Sequence, residues 1–260
     1  MNIQQLKQLK ILTIGDSCTD IYHMGTCNRI SPEAPIPIFR EESRFSRPGM
    51  SSNVVENIKS LGAAVEHHTN SELIEKHRYI DSRFKQHLLR VDVGENTKIK
   101  QFDIKSIKHQ KYDLIVISDY DKGFLSRKSC MEICQYAKQK NIPLFVDSKK
   151  RDLSCFFSCY IKINEFEYKN VKNKSDSLKF IVTLGNKGAM CDNIVYPTDK
   201  VEVFDVCGAG DVFLSTLILF FLLTNDLKYA IIKANKCASY SVTKLGTYII
   251  TKKDLEVIGE

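Results

Sequence analysis

Asp205-Val206-Cys207-Gly208-Ala209-Gly210-Asp211 sets small residues and a carboxylate at the mouth of the apolar run 212–223. A helix opening there exposes unpaired amide N–H groups and the positive end of its dipole, a suitable seat for a phosphate. The amides of Gly208, Ala209 and Gly210 could then hold phosphoryl oxygens, while Asp211 takes the proton of an attacking hydroxyl. A glycine-rich strand-to-helix turn with a capping aspartate accounts for the same seven residues, and alone they leave both readings open.

Further segments occur upstream: Ile11-Leu12-Thr13-Ile14-Gly15-Asp16-Ser17-Cys18-Thr19-Asp20, Arg29-Ile30-Ser31-Pro32-Glu33-Ala34-Pro35-Ile36-Pro37, Arg47-Pro48-Gly49-Met50-Ser51-Ser52-Asn53 and Leu61-Gly62-Ala63. With the turn at Asp211, they resemble the ribokinase-like (PfkB-type) carbohydrate kinases, over residues from about 10 to about 250. The segment 29–35 and Ser118-Asp119-Tyr120-Asp121-Lys122-Gly123 are most similar to the branch acting on D-glycero-β-D-manno-heptose 7-phosphate. The resemblance implies an ATP- and Mg²⁺-dependent phosphotransferase giving the 1,7-bisphosphate for surface-glycan precursors. It also implies a small β lid near 20–45 and 76–93, through which two copies often pair.

Roles for single residues follow from the same resemblance. Asn164-Glu165-Phe166-Glu167 would contact ATP phosphates, with Asn164 and Glu167 serving Mg²⁺ through its water shell. Without the family this is a capped turn with an acidic helix start. Thr183, Gly185 and Gly188 would border the nucleotide, and Asn235 the adenine. Asp147 and Lys149 match an Asp-x-Lys pattern, with Lys149 neutralising phosphate, although a surface lysine serves equally well. Asp16 and Asp20 would accept sugar hydroxyls; a turn Asp and a capping Asp are the plainer reading. Gly49 would allow close backbone approach, and Asn53 would bond a hydroxyl. Arg29, Arg78 and Arg83 are candidates for the substrate's own phosphate, each singly also a lid-surface residue. Asp119 and Lys122 belong to the branch-specific stretch at a strand end.

The chain departs from the family twice. Met50 stands where relatives carry a second glycine, and is expected to crowd the sugar or forbid a positive φ. Between Ala64 and Arg78 several tens of residues are absent, ordinarily a strand–helix–strand beside the substrate; residues 170–179 are also shortened. A trimmed kinase and a sugar- or nucleotide-binding regulator both remain open. So does a kinase of another sugar or nucleoside, which the segment 29–35 disfavours.

The elements needed to position these groups can be read along the chain. After a polar leader, 10–15, 113–118, 143–147, 160–163 and 180–184 read as strands, and 113–118 is a continuous apolar run of the kind buried on both faces. Ser51 or Ser52 can cap a helix carrying Val54, Val55, Ile58 and Leu61, stopped by Gly62. Residues 126–140 and 227–245 read as further helices, the second ending at Gly246. Proline confines 30–40 to edge strands, and 78–93 reads as extended structure. Strands alternating with helices predict an α/β fold, a doubly wound, mostly parallel sheet flanked by helices. In such a sheet Asp16, Asp119, Asp147, Asn164 and Asp211 converge at the C-terminal strand ends, where ligands collect.

Length and composition narrow the class. The 260 residues fit one domain, and 43% hydrophobic content argues against disorder. No signal-peptide pattern opens the chain, and 212–223 is too short to span a bilayer, so a soluble cytoplasmic protein without membrane contact is expected. Nine cysteines lack CxxC pairs; Cys130 and Cys134, and Cys155 and Cys159, share a face if helical, and all nine read as reduced structural thiols. The net charge of +7 has a lysine-rich stretch at 97–111. No aromatic-interleaved basic motif accompanies it, so nucleic acid is not expected as a partner and the positive field suits anionic small molecules. No nucleotidyltransferase domain is recognisable in these residues.

Overall fold

The computed structural model describes residues 3–107 and 110–259; Lys108 of the lysine-rich stretch lies outside them. After a 3₁₀ turn at Ile3–Gln8, β1 (Lys10–Gly15) runs into two long strands, β2 (Ser17–Ile30) and β3 (Pro37–Met50), which return the chain to α1 (Ser51–Leu61). β4 (Ala64–His68), β5 (Glu75–Asp81) and β6 (His87–Val93) follow. Alternation then sets in: β7 (Leu114–Asp119), α2 (Arg127–Lys140), β8 (Leu144–Ser148), β9 (Cys159–Asn164), α3 (Glu165–Asn170) and β10 (Leu178–Thr183). A hairpin of β11 (Ala189–Cys191) and β12 (Ile194–Tyr196) precedes α4 (Ala209–Thr224), α5 (Leu227–Ser241) and α6 (Lys252–Val257).

Eight strands form the main sheet in the order β12-β11-β10-β9-β8-β7-β1-β4. β10 through β4 pair in parallel, and only the hairpin edge is antiparallel. Successive side chains of a strand point to opposite faces, and here both faces are covered. Leu114 and Val116 of β7 join Val54, Ile58, Val212, Leu217 and Ala230 on one side. Ile115 and Ile117 join Ile133, Cys134 and Val146 on the other. α4, apolar all round, is buried from Asp211 to Phe221, as its uninterrupted run predicts. Among the described residues no helix is long and apolar enough to cross a membrane.

The lid is a second sheet, β3-β2-β5-β6. Pro37 and Pro48 both lie on β3, an edge strand, as their missing N–H groups require. The lid strands lie at 17–30, 37–50, 75–81 and 87–93, longer than the sequence suggests within the spans 20–45 and 76–93.

Some boundaries differ from expectation. Leu6 of the polar leader is buried against the α1–α4 side of the sheet. Met50, not Ser51 or Ser52, is the N-cap of α1, at φ 56° and ψ −132° with no side-chain cap. A glycine adopts that backbone freely, whereas a methionine does so under strain. Burial of its side chain and the Ser51 amide, donated to the Asp16 carbonyl at 3.0 Å, hold it there. The positive φ is thus present, not forbidden. α5 stops at Ser241, short of Gly246. Cys155 and Cys159 are not on a helix, since Cys159 opens β9, yet all nine thiols are free as expected.

Leu217, fully buried at the centre of α4, supplies the test of this core. Leu217→Ala is expected to lower unfolding free energy by about 2–5 kcal/mol, read as a lower urea midpoint at unchanged slope.

Candidate active site

Asp211 sits in the first turn of α4, 4% exposed. Asn53 of α1 donates from Nδ2 to its Oδ2 at 2.9 Å, and Tyr120, just past β7, donates from its hydroxyl to Oδ1 at 2.9 Å. Burial pushes the carboxyl up to about 6, against the Asn53 hydrogen bond, the Lys162 charge and the Tyr120 hydrogen bond, while Asp147 adds to the rise. A carboxylate tuned in this direction is a stronger proton acceptor near neutrality than an exposed aspartate. Gly208 caps the helix at φ 77°, and a Cβ there would lie 2.9 Å from Asn53 Nδ2. The tight turn and the grip on Asp211 therefore need the same glycine. Of the three amides expected to face a phosphate, that of Ala209 points to the Val206 carbonyl at 3.3 Å.

Cations line the neighbouring strand ends. Lys162, inside β9 and 4% exposed, places Nζ 2.6 Å from Asp147 Oδ2. Lys149 bridges Asp147 Oδ1 at 3.3 Å and Glu167 Oε1 at 2.7 Å. Burial opposes the charge on Asp147, but Lys162 and Lys149 overcome it and hold the carboxyl below its ordinary value. A Cβ on Gly210 would lie 2.8 Å from Lys162 Nζ, so this ammonium abuts the glycine turn. Asn164 and Glu167 form a reciprocal capping box on α3. Both Glu167 oxygens already accept a hydrogen bond, one from the Asn164 amide and one from Lys149. Such a set of hard oxygens fits a hydrated Mg²⁺ held through water better than one bound directly.

Beside the turn lies a cavity of about 480 Å³, lined by Thr183, Gly185, Gly188 and Asn235 together with Val201, Val206, Ala209, Gly210 and Phe213. The four nucleotide-side residues expected from sequence are therefore brought together. Asn235 reaches it while its amide donates to the Tyr196 carbonyl at 2.8 Å, fixing the wall. On the lid side, Asp20 is 3% exposed and accepts from Arg78 at 2.8 and 3.0 Å. A Cβ on Gly49 would come within 2.4 Å of Asp20 Oδ2 and 2.6 Å of Cys18 Sγ. Glycine is therefore needed there to seat Asp20. Lys76 Nζ lies 5.7 Å from the Tyr120 ring centre and Lys149 Nζ 5.6 Å from it, so Tyr120 stands between the lid and the strand ends.

Other expected ligands have structural employment. Asp16 is fully buried and accepts the amides of Tyr120, Lys122 and Phe124 at 2.8–3.3 Å, tying down the loop after β7. Asp119 is likewise enclosed, bonded to Ser148 Oγ at 2.6 Å and paired with Lys150 at 3.2 Å. Lys122 pairs with Glu95 at 2.6 Å. Arg29 is exposed near the far end of β2, nine residues beyond Asp20, or about 30 Å at strand rise. Arg83 lies in the β5–β6 turn, bonded to Asp81 and Asn28 at 2.9 and 2.8 Å. Glu165 pairs with Lys169, and Phe166 is 78% exposed; both lie on the outer face of α3. Asn53 grips Asp211 instead of offering its amide to a sugar. Tyr120, Lys162 and Lys76 were missed as site residues. Lys162 carried a signal, a lone charge within the apolar Tyr160-Ile161-Lys162-Ile163, which must find a partner to be buried. Tyr120 had none, because its partner lies ninety-one positions away.

The family model described as "pfkB family carbohydrate kinase" matches residues 66–254. The chain belongs to that family. It is accordingly a carbohydrate kinase, a phosphotransferase with an alcohol as acceptor. Two similar curated proteins are both "Bifunctional protein HldE". That of Campylobacter curvus is 30% identical, over 93% of this chain and 63% of its own length. That of Pseudomonas aeruginosa is 30% identical, over 98% of this chain and 64% of its own. The chain thus spans under two thirds of these relatives. Among solved structures, phosphofructokinase-2 from Escherichia coli has TM-score 0.77 at 15% identity, covering 96% of this chain and 98% of that one. Arabidopsis thaliana ribokinase, complexed with ribose and ATP, has TM-score 0.71 at 11% identity, covering 97% and 99%. These likenesses show the ribokinase-like fold of the kinase.

Two outcomes follow from this geometry. The rate of phosphoryl transfer in this kinase is expected to rise as pH passes about 6, where Asp211 ionises. Tyr120→Phe removes a hydrogen bond to the ionised form, so the acid limb of the pH–rate profile moves to higher pH. Gly49→Ala displaces Asp20 and is expected to raise KM for the sugar more than it lowers kcat, measured by steady-state kinetics in each substrate.

Proposed function

We propose that the chain transfers the γ-phosphoryl group of ATP to the anomeric hydroxyl of D-glycero-β-D-manno-heptose 7-phosphate, giving the 1,7-bisphosphate. The carrying observation is the buried Asp211 carboxylate, gripped by Asn53 and Tyr120 at the mouth of a glycine-opened helix and flanked by Lys162. Asp211 accepts the proton of the sugar hydroxyl as the new O–P bond forms. The amides of Gly208 and Gly210 and the helix dipole stabilise charge on the transferred phosphoryl oxygens. Lys162 and Lys149 exchange part of their pairing with Asp147 and Glu167 for phosphate oxygens. Magnesium, when bound through water by Asp147, Asn164 and Glu167, would neutralise charge on the triphosphate.

The apolar cavity beside Gly210 suits a purine, with Asn235 and Thr183 at its walls. Asp20 would orient sugar hydroxyls, and Arg78, bonded to it, and Lys76, opposite it in register, are lid cations for the 7-phosphate. The HldE relatives support the heptose branch, as does the segment 29–35. A setting in the cytoplasm and pairing of copies through the lid belong to the same proposal. The second reading, a binding protein with little turnover, is favoured by the direct six-residue passage from β4 to β5, where the missing segment would lie.

The deciding experiment mixes the protein with Mg·ATP and a panel of sugar phosphates and follows ADP release. Turnover that depends on heptose 7-phosphate and falls by about 10²–10⁴-fold in Asp211→Asn is expected. Binding of both substrates without ADP release would leave the regulator; turnover with a different acceptor would replace the heptose assignment.

A further inference from the structure

A second group of donors forms where the lid meets the catalytic turn. His87 opens β6, while Asp205 and Cys207 belong to the turn before α4. A ring nitrogen, a carboxylate oxygen and the thiol sulfur of these three lie within 4.8 Å of one another. His87 Nε2 stands 3.6 Å from Asp205 Oδ2, too far for a sound hydrogen bond. That spacing is nevertheless right for two ligands of one cation, since a tetrahedron with bonds of about 2.0–2.3 Å has edges of roughly 3.3–3.8 Å. Asp205 is already oriented: its oxygens accept the amides of Cys207 and Gly246, each at 2.9 Å. Ligands fixed in this way by outer partners need little reordering to bind. Burial and the carboxylates of Asp205 and Asp20 push the Cys207 thiol up to about 12 against the Arg78 charge, so the cation itself must displace the thiol proton, as a coordinated metal does.

The donor types select the cation. Imidazole, thiolate and carboxylate suit Zn²⁺ and its neighbours, whereas Mg²⁺ prefers oxygen alone. We propose that His87, Asp205 and Cys207 bind a thiophilic divalent cation of the Zn²⁺ class, a solvent molecule completing the tetrahedron and the thiol proton leaving to solvent. Such a cation joins a strand of the lid to the turn that opens α4, and so holds the lid down and slows turnover. The binding site stands independently of the reaction proposed above; the slowing of turnover rests on it.

The test uses the full chain with Co²⁺ as a coloured probe, in excess Mg²⁺. One equivalent is expected to give a thiolate-to-cobalt charge-transfer band that Zn²⁺ bleaches. Cys207→Ser should abolish the band and Cys27→Ser should keep it. His87 is exposed at a strand start, so His87→Ala should fold normally and bind at least about tenfold more weakly. No band in the wild type, a band that survives Cys207→Ser, or unchanged affinity in His87→Ala would each overturn the site. If the chain turns over a sugar phosphate, micromolar-range Zn²⁺ should inhibit it, and His87→Ala should relieve inhibition while keeping the uninhibited rate. Inhibition that persists in His87→Ala would overturn the locking role. Absence of turnover with a normal cobalt band would count against the proposed reaction and leave the cation site standing.

Discussion

Keeping the Asp211 carboxylate out of water without neutralising it is the constraint on which the site depends. An isolated buried carboxylate simply takes up a proton. Here Asn53 and Tyr120 satisfy its two oxygens and Lys162 supplies positive charge, so the rise stops at about 6. Each of these helpers comes from a different element: α1, the loop after β7, and β9. In the sheet β8 alone separates β7 from β9, and Asp16, by holding three amides of the loop after β7, keeps Tyr120 in reach. Acidic groups that look like ligands in the sequence are in part the scaffolding around Asp211.

The charges around Asp211 are paired within the protein itself. Asp20 with Arg78 on the lid side and Asp147 with Lys162 at the strand ends are largely buried pairs, and half-buried Lys149 joins the second. Removing one member strands the other, which is why such pairs are costly to break by truncation. An incoming phosphate offers the cations a replacement partner, so the pairs can open without leaving a bare charge. In the proposed reaction, recognition of anionic substrates would be an exchange of partners.

The shortened stretch after α1 leaves the sheet with β4 as its edge, and the chain then passes straight into the lid. Met50 shows how the fold tolerates a further departure: a non-glycine residue accepts φ 56° because its side chain is buried among Cys18, Ile14 and Ile74 in the same core. The strain is local, of order 1–3 kcal/mol in general, and it sits at the junction between lid and main sheet.

Much of this was written in local pattern. The parallel strands, the helix stop at Gly62, the buried α4 and the position of Asp211 at its start follow from periodicity and glycine chemistry, which act over a few residues. So did the convergence of Asp16, Asp119, Asp147 and Asn164 at one edge, since strand ends are marked by the last apolar residue. Which of those groups face a ligand was not in the pattern. Asp16 and Asp119 turned inward, Arg29 and Arg83 went to the far end of the lid, and Tyr120 and Lys162 reached Asp211 and Gly210. Nor was the meeting of His87 with Cys207 visible, because no spacing rule links a lid strand to a turn 120 residues further along. Side-chain partners across elements depend on register and burial, and those are properties of the packed chain rather than of any window along it.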